Sequence, residues 1–596
     1  MWIPALAGAM AFSLTLPTAH LTGRDGVIYS NSIHSLLFII MGGRLWVGAA
    51  KGLVRDRRRT ATALVLSFFF SLFLLVGSSL ETTENFNIMR IGSYPILVFS
   101  AIFLLPLLEA VWQWLKRTEE TKEGKEQKKG EAQEKGKTHF LRNSLLLLLC
   151  WLPVFLAFFP GAFVYDAYEE FVQADTGAYT THHPLIHVLL LGKSLVFWEK
   201  VFGSYNAGIA IYTILQMMVM AAVLSYTIEY LRKNNHCPLR EAVILLFYGF
   251  FPVIPMYAVC SAKDTYFTVF LLLSIVMLLQ LYEQQDRFFE KKGNVFLLLF
   301  SATLMLLFRN NGVYAYGVWL LIAGAGFPFG KRKKGEGTWL RIMILLLPLL
   351  FSFLLNFSMK ELLGAQKGGA QEIMTVPIQQ MARVYQYAPE TYTKQEKEIL
   401  YEILPQKELH LYTPRISDLL KSKFNNEAFR SNPVRYLTLW GKIGLRKPLI
   451  YLNAWLLTSY GYWYPDGVIN VYGGTARHTI VYEDSSYFGF ETEPPGVRHS
   501  LLPLLEKVYR KISLDLFQQR IPGISLFFSP GFMFWCFSLC MGYYIWNRKN
   551  KLVIPFLLPF LVWMTVLLGP TYLVRYVLIL WMAAPLFAMG IQTKRQ

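Results

Sequence analysis

Residues 160–184 of the chain read PGAFVYDAYEEFVQADTGAYTTHHP, a short polar stretch between two long apolar runs. Three closely spaced acids and two histidines stand out in it: Asp166, Glu169, Glu170, His182 and His183. Charged groups at the edge of a membrane are costly to keep there, so a dense cluster of them favours chemistry over anchoring. The stretch also decides the topology, because the apolar run after it, 184–202, is the one whose crossing is in question.

The composition is that of a polytopic helical membrane protein. Of 596 residues, 54% are hydrophobic and 16% are charged, whereas a soluble protein has about 25% charged residues. The net charge of +19 comes mostly from clusters in short loops between apolar runs, where lysine and arginine set topology and contact anionic lipid headgroups. No arginine–aromatic platform for nucleic acid is present, and none of the five cysteines lies in the large hydrophilic region.

Apolar segments of spanning length recur along the whole chain. They lie at about 3–20, 32–50, 61–79, 93–115, 139–159, 184–202, 207–231, 240–258, 263–282, 294–309, 311–328, 339–358, 524–546, 552–568 and 571–590. The first has no basic region before it and no clear cleavage site after it, so it is interpreted as a retained span.

Basic loops predict how many of these segments cross. The cluster Lys51–Arg59 is expected in the cytoplasm, which places the N-terminus inside and residues 160–184 outside. Three later basic clusters are found at 231–240, 331–334 and 547–551. They are cytoplasmic only if 184–202 does not cross but lies along the outer surface, which leaves ~14 spans in an all-α bundle.

Composition divides the chain into five regions. They are an N-terminal four-span unit (1–115), a charged cytoplasmic linker (116–138), a transmembrane core (139–358) with the external loop 160–206, a hydrophilic external cap (359–523) and a C-terminal three-span unit (524–596). The cap combines predicted helices with an aromatic, Gly- and Pro-rich section at 460–495.

The acids of the polar stretch share one face if residues 166–170 are helical, because they are spaced three and four apart. Such a group suits a general base with a supporting acid, or a divalent metal; it equally suits a first helical turn that complements the helix dipole. His183 and His187 have the spacing of a helical zinc pair, but no H-E-x-x-H is present. A polar helix start at Pro184 explains the histidines as well, so a metal is not favoured.

Basic residues on the predicted outer side are candidates for binding a phosphate. They stand in two motifs and one isolated position: Lys263-Asp264, Arg309-Asn310-Asn311-Gly312 and Arg575. A snorkelling lysine and a plain Asn-Gly turn are the structural alternatives.

The cap contributes polar and aromatic candidates. These are Gln379, Gln380 and Arg383 in one segment, and Tyr462, Trp463 and Asp466 in another. Aromatic side chains of this kind stack on sugar rings, and they are equally typical of an aromatic belt at the membrane interface.

Several of these motifs together resemble the GT-C glycosyltransferases, and more closely an uncharacterised bacterial GT-C-like membrane family. The resemblance covers about 140–590 and is carried by Tyr165-Asp166, His182-His183-Pro184, Lys263-Asp264, Phe308–Gly312, Pro377–Gln380 and Gly461–Pro465. GT-C enzymes have an acid in the first external loop and a His-Pro-Pro-like motif before a juxtamembrane helix. Leu185 replaces the second proline here and no Asp-x-Asp is present, so the metal-free mannosyl- and aminoarabinose-transferases are the closer pattern.

The resemblance implies transfer of a sugar, with inversion, from a polyprenyl-phosphate donor to an extracytoplasmic acceptor (a cell-envelope glycan, lipid or protein). Asp166 would be the general base, with Glu169 or Glu170 orienting the acceptor or raising its basicity. Substrate would be bound by Tyr165, His182, His183 and the cap residues, and the leaving lipid phosphate by Lys263, Arg309 and Arg575. The expected location is the cell membrane, with no cofactor and no nucleic-acid partner.

Two other functions fit parts of the pattern. A transporter or flippase of lipid-linked sugars would use the same basic and aromatic cavity without chemistry, and predicts ionisable groups near mid-span and on both faces. A membrane metalloprotease would require stoichiometric zinc.

Overall fold

The computed structural model describes residues 1–14, 33–52, 56–86, 91–126, 139–234, 237–326, 338–467, 492–515, 517–521 and 523–589. Within these ranges the chain is helical, with two isolated bridges and no strand. The helices of eight or more residues are Trp2–Ser13, Ile33–Lys51, Arg57–Thr83, Ser93–Glu126, Phe140–Ala157, Ala167–Thr176, Ser194–Phe202, Tyr205–Asn234, Pro238–Phe250, Lys263–Gln284, Lys292–Phe308, Asn310–Gly326, Thr338–Leu363, Thr375–Tyr387, Lys394–Ile403, Pro433–Arg446, Pro448–Ser459, Pro503–Arg510, Pro530–Trp546 and Asn550–Val566.

In the part of the chain that the structure describes, six helices are long and apolar enough to cross a membrane, as the prediction of an all-α membrane protein requires. They are Arg57–Thr83, Ser93–Thr118 (the apolar part of its helix), Phe140–Ala157, Tyr205–Lys233, Lys263–Gln284 and Arg341–Leu363. Trp2–Ser13, Lys292–Phe308 and Lys551–Val566 are shorter apolar helices. Their positions agree with predicted apolar segments.

The helix Lys263–Gln284 lies at the centre of the bundle. Its most apolar 18-residue window is 100% buried, which fits a helix that is apolar on every side. It packs against Tyr205–Asn234, Lys292–Phe308 and Asn550–Val566. Its first two residues, Lys263 and Asp264, therefore begin a rigid and central element.

Among the described residues, three predicted spans are not continuous helices. The segment 524–546 breaks at Phe528 and Ser529, between the helices Ile524–Phe527 and Pro530–Trp546. The segment 240–258 breaks after Phe250, at Pro252, and continues as the short helix Val253–Ala258. The segment 571–590 consists of three short helical pieces. Its start is not helical because its backbone bonds to Tyr462, whose hydroxyl donates to Thr571 O and accepts from Leu573 N–H, both at 3.0 Å.

The run 184–202, predicted to lie along the outer surface, is helical from Leu185 to Phe202 with a π-helical part at Val188–Lys193. It packs against the helix Ala167–Thr176. Gly192 allows the close approach, since a Cβ there would lie 2.4 Å from the Ala174 Cβ. The two segments thus form one layer of helix beside the bundle, while the predicted topology stays a prediction.

The predicted cap has a hydrophobic core of its own. The helices Thr375–Tyr387, Lys394–Ile403, Pro433–Arg446 and Pro448–Ser459 meet around buried side chains including Ile378, Met381, Leu400, Leu439 and Ile443. A capping box between Thr393 and Glu396 begins the second of these helices. Between 416 and 425 the cap has a single helical turn, Asp418–Lys421.

The N-terminal unit packs against the cap rather than standing apart from it. At the end of the helix Arg57–Thr83, Glu84 O accepts hydrogen bonds from Arg383 and Asn453, each at 3.0 Å. The Tyr460 hydroxyl donates to Glu81 Oε2 at 2.5 Å. Of the predicted linker 116–138, the helix Ser93–Glu126 includes the first part, and 127–138 lie outside the described residues.

Candidate functional site

The polar stretch is fixed to the loop that precedes Lys263. The Ala162 N–H donates to Val259 O at 2.9 Å, and the Ser261 N–H donates to Ala162 O at 3.0 Å. These two bonds hold residues 162–166 beside the start of the central helix. The contact brings Asp166 to Lys263 although the two residues are far apart in the chain.

Asp166 precedes the helix Ala167–Thr176 without capping it. It occupies the N-cap position, yet its side chain accepts no bond from the helix N-terminus. Tyr165 before it has φ of 61°, in the left-handed region that few non-glycine residues adopt. The Asp166 carboxylate is directed instead to two cations.

Five charged side chains form one alternating cluster. Lys263 Nζ lies 2.5 Å from Asp166 Oδ2, and Arg575 Nη1 lies 3.3 Å from the same oxygen. Arg575 Nη1 also lies 3.6 Å from Asp264 Oδ2, whose other oxygen is 2.5 Å from Arg309 Nη1. Asp264 is fully buried and Arg575 is 7% exposed. Buried charges of this kind require partners, so the cluster either balances itself or binds a charged ligand.

Two aromatic rings hold the guanidinium groups. Arg575 lies 4.3 Å from the centre of the Tyr165 ring and 4.9 Å from that of Tyr576. Arg309 lies 4.5 Å from the Tyr576 ring. Arg575 Nε is buried and has no hydrogen-bond partner among the described residues. It is a donor that an anionic ligand could use.

His183 joins the cluster to Glu169. Lys263 Nζ lies 2.8 Å from His183 Nδ1, and His183 Nε2 lies 2.9 Å from Glu169 Oε2. An ammonium group only donates, so Nδ1 is the acceptor and Nε2–H donates to the carboxylate. The hydrogen bond from His183 lowers the pKa of Glu169.

Glu170 belongs to a buried hydrogen-bond chain. It bonds to His187 Nδ1, and His187 Nε2 lies 2.7 Å from the Tyr212 hydroxyl. Tyr212 donates to Gln216 at 3.2 Å. Gln216 donates in turn to the carbonyls of residues 257, 258 and 260. This chain ties the helix Ala167–Thr176 to the bundle, so Glu170 is placed for structure while Glu169 remains exposed.

Opposing effects act on the Asp166 carboxyl. Burial raises its pKa, but the positive charges of Arg575 and Lys263 outweigh burial and hold the pKa well below its usual value. Asp166 is therefore ionised, and it is a weak base as long as both cations contact it.

Burial and the neighbouring His183 lower the pKa of His182.

Glu169, His182 and His183 are the one set of residues in the described ranges with the spacing of a metal site, with ligand atoms within 4.8 Å of one another. The hydrogen bonds fit a metal poorly. Coordination at His183 Nε2 would move the ring proton to Nδ1, where it would meet the Lys263 ammonium at 2.8 Å. We therefore assign no metal to these residues.

The predicted cap residues lie within the packing of the cap. Gln379 donates to Thr413 O at 2.7 Å, and Gln380 both donates to Tyr451 O and accepts from Trp440. Arg383 bonds to the Tyr412 hydroxyl and to Glu84 O. These bonds give the three side chains structural roles in the cap.

Other predicted residues also have structural partners. Asn311 donates to Thr565 at 2.9 Å, whereas Asn310 is exposed at the helix start. Trp463 is buried, and its indole donates to Ser459 at 3.3 Å. Tyr462 positions the backbone that leads to Arg575, and Asp466 is 8% exposed beside the end of the helix Arg57–Thr83.

No pattern in the sequence pointed to Glu493. Its N–H donates to Phe163 O at 2.7 Å, which places it beside the polar stretch. Burial and the charges of Asp166 and Glu169 raise its pKa to about 7. His187, by contrast, had a signal in its spacing from His183.

A protein-family model matches residues 171–596, and its description is DUF6020, a family of unknown function. The chain belongs to this family. The DUF6020 match includes His182, His183, Lys263, Arg309 and Arg575 and begins after the acids Asp166, Glu169 and Glu170. No curated protein and no solved structure matches the chain.

Proposed function

We propose that the chain is a membrane glycosyltransferase that moves a sugar from a polyprenyl-phosphate donor to an acceptor on the extracytoplasmic face. The observation that supports this most is the convergence of Lys263 and Arg575 on Asp166. With Arg309 and Asp264 close by, three cations and two carboxylates occupy one small volume. A lipid phosphate needs the cations, and sugar transfer needs a base.

A donor phosphate would compete with Asp166 for its two cations. The two positive charges lower the pKa of the Asp166 carboxyl. If both cations moved to the phosphate, the Asp166 carboxylate would become more basic. In the reaction, the acceptor O–H bond breaks, its proton passes to a carboxylate of the site, and its oxygen bonds to the anomeric carbon. The bond from that carbon to the phosphate oxygen breaks, and its electron pair stays on the lipid phosphate beside Lys263 and Arg575. A single displacement of this kind inverts the anomeric centre.

The ends of the helices support the proposed sidedness. Asp166, Lys263, Arg309 and Arg575 come from four loops or helix ends that all meet at the cluster. Two residues from the basic stretches of the sequence form a separate contact, in which Arg548 lies 3.7 Å from Asp56. Basic loops favour the cytoplasm, so the cluster is proposed to face outwards.

The central helix argues against the transporter alternative. A flippase that carries a charged headgroup across the bilayer predicts ionisable groups near mid-span. Between Asp264 and Glu283 the central helix has no acidic or basic residue. Nearly all of its side chains in this part are buried among other helices.

The test is a transfer assay on the full chain in lipid nanodiscs, with a panel of radiolabelled polyprenyl-phosphate sugars and a cell-envelope acceptor extract. We expect labelled product from the unaltered chain and a loss of about 100-fold or more in Arg575→Gln. Arg287→Gln, which removes an exposed arginine far from the cluster, is the matched control and should keep full activity. Movement of labelled donor across liposomes without any transfer would favour the flippase and overturn the proposal.

A further inference from the structure

A segment near the end of the cap lies along the polar stretch. Residues 492–501 run beside residues 156–163 and are held there by main-chain hydrogen bonds. The bonds are Glu493 N–H to Phe163 O at 2.7 Å, His499 N–H to Phe159 O at 2.9 Å and Leu501 N–H to Leu156 O at 2.9 Å. The Thr492 hydroxyl adds a bond to Gly161 O at 3.2 Å. Four bonds to one short stretch fix the position of Glu493 next to Asp166.

The Glu493 side chain is half-buried beside the same site. The backbone N–H of Tyr165, directly before Asp166 in the chain, favours the ionised form of the Glu493 carboxyl and lowers its pKa. Tyr165 has the left-handed backbone conformation, which is unfavourable for a residue with a side chain and is concentrated at functional sites. Arg575 is the cation that faces Glu493, and Asp166 and Glu169 are the anions.

The two carboxyls of this site have opposite environments. Asp166 contacts two cations, which hold its pKa well below the usual value after burial is taken into account. Glu493 has no such pair among the residues that the structure describes. Burial and the two nearby acids raise its pKa to about 7, against the weaker effect of Arg575. Two acids whose pKa values are moved apart often divide the work of an active site. A general base is most effective when its pKa is near the working pH.

We propose that Glu493, rather than Asp166, accepts the proton of the acceptor, and that Asp166 holds Lys263 and Arg575 in position for the donor phosphate. This assignment rests on the proposed transferase function. The acceptor O–H bond breaks and its proton goes to the Glu493 carboxylate as the new bond to the anomeric carbon forms. The bond to the lipid phosphate breaks, and its electrons remain on the phosphate. Glu493 then loses the proton to water.

The test compares pH profiles of transfer for the full-length chain, Glu493→Gln and Asp166→Asn in nanodiscs. We expect kcat of the unaltered chain to fall below pH ~7, where Glu493 becomes protonated. This fall at low pH is the acidic limb of the profile. Glu493→Gln should lower kcat about 100-fold and remove the acidic limb, and it should leave the donor KM within about threefold of that of the unaltered chain. Asp166→Asn should raise the donor KM at least about tenfold and keep the limb. Glu493→Asp should restore part of kcat.

Folding and binding controls accompany the kinetics. Glu493→Gln should bind sugar-free polyprenyl phosphate and melt like the unaltered chain, and Glu390→Gln, an exposed acid of the cap, should be active throughout. If Glu493→Gln keeps full kcat and the limb while Asp166→Asn loses it, Asp166 is the base and this assignment is wrong. If the unaltered chain transfers no sugar at all, the proposed function itself has failed, which is a different result.

Discussion

Arg575 Nη1 lies 3.3 Å from Asp166 Oδ2, although the two residues stand 409 positions apart in the chain. The contact joins the first part of the predicted core to the last helical pieces. Asp166 is 26% exposed at its side chain, whereas Arg575 is 8% exposed, so the pair lies at the border between packed protein and open space. A paired carboxylate at such a border can exchange with a phosphate that arrives from outside.

Lys263 is expected to contribute directly to phosphate binding. A hydrogen bond to a charged group is worth about 1.5–3 kcal/mol, so Lys263→Met should weaken the binding of sugar-free polyprenyl phosphate about 10- to 100-fold. Titration calorimetry in detergent measures the change. Lys200→Met removes an exposed lysine on the neighbouring helix and should bind like the unaltered chain. Equal affinities for the two variants would contradict a phosphate site at Lys263.

Glu169 and Glu170 are adjacent but should differ sharply in their effect on stability. Removing one partner of a buried pair leaves the other uncompensated, so Glu170→Ala should cost about 3–5 kcal/mol through its bond to His187. Glu169 is 65% exposed at its side chain, so Glu169→Ala should cost less than about 1 kcal/mol. Thermal unfolding in detergent compares them, and a larger loss in Glu169→Ala would refute this division.

The positions of helices were predictable because apolar runs of spanning length have few other structures available to them in lipid. The central helix Lys263–Gln284 and the helical run from Leu185 follow directly from such patterns. The breaks at 240–258 and 571–590 were not predictable from hydropathy, because they depend on tertiary contacts. The bonds of Tyr462 to Thr571 and Leu573 are an example.

The candidate site was predictable in part. The motifs at Asp166, Lys263, Arg309 and Arg575 were each ambiguous alone, and the structure brings them into one cluster. The sequence could not separate Glu169 from Glu170, since the burial of Glu170 depends on its tertiary contact with His187. The cap glutamines were attractive because polar residues often bind substrates. Their hydrogen bonds to cap carbonyls appear only once the cap is folded.

Asp466 should make stability depend on pH. Burial and the nearby Glu81 raise its pKa from 3.8 to about 8. The folded state then favours the protonated acid, so stability falls as the pH rises from about 4 to about 8 and is constant above that. Asp466→Asn removes this loss. Relative to the unaltered chain, its free energy of unfolding should be higher at pH 8.5 than at pH 5 by on the order of 1–3 kcal/mol. Melting curves of both chains at the two pH values test this. The prediction is contradicted if the stability difference between the variant and the unaltered chain is the same at pH 5 and pH 8.5.

Packing of the N-terminal unit against the cap can be tested at a glycine. In the helix Arg57–Thr83, a Cβ on Gly77 would lie 2.3 Å from Tyr464 Cδ2 and 2.7 Å from its Cβ, so the ring cannot simply turn away. Overpacking of this kind typically costs 1–3 kcal/mol, more than the ~1 kcal/mol that alanine gains over glycine in a helix. Gly77→Ala should therefore lower the melting temperature.

The matched control lies in the helix Ile33–Lys51, where a Cβ on Gly48 would meet nothing within 4 Å. Gly48→Ala should raise the melting temperature slightly, because only the helix propensity changes. The two variants make the same chemical change in helices of the same unit, so opposite signs would isolate the contact with Tyr464. Equal gains in both would mean that the helix Arg57–Thr83 does not pack against the cap as closely as the structure has it, and the N-terminal unit would then be separable from the rest.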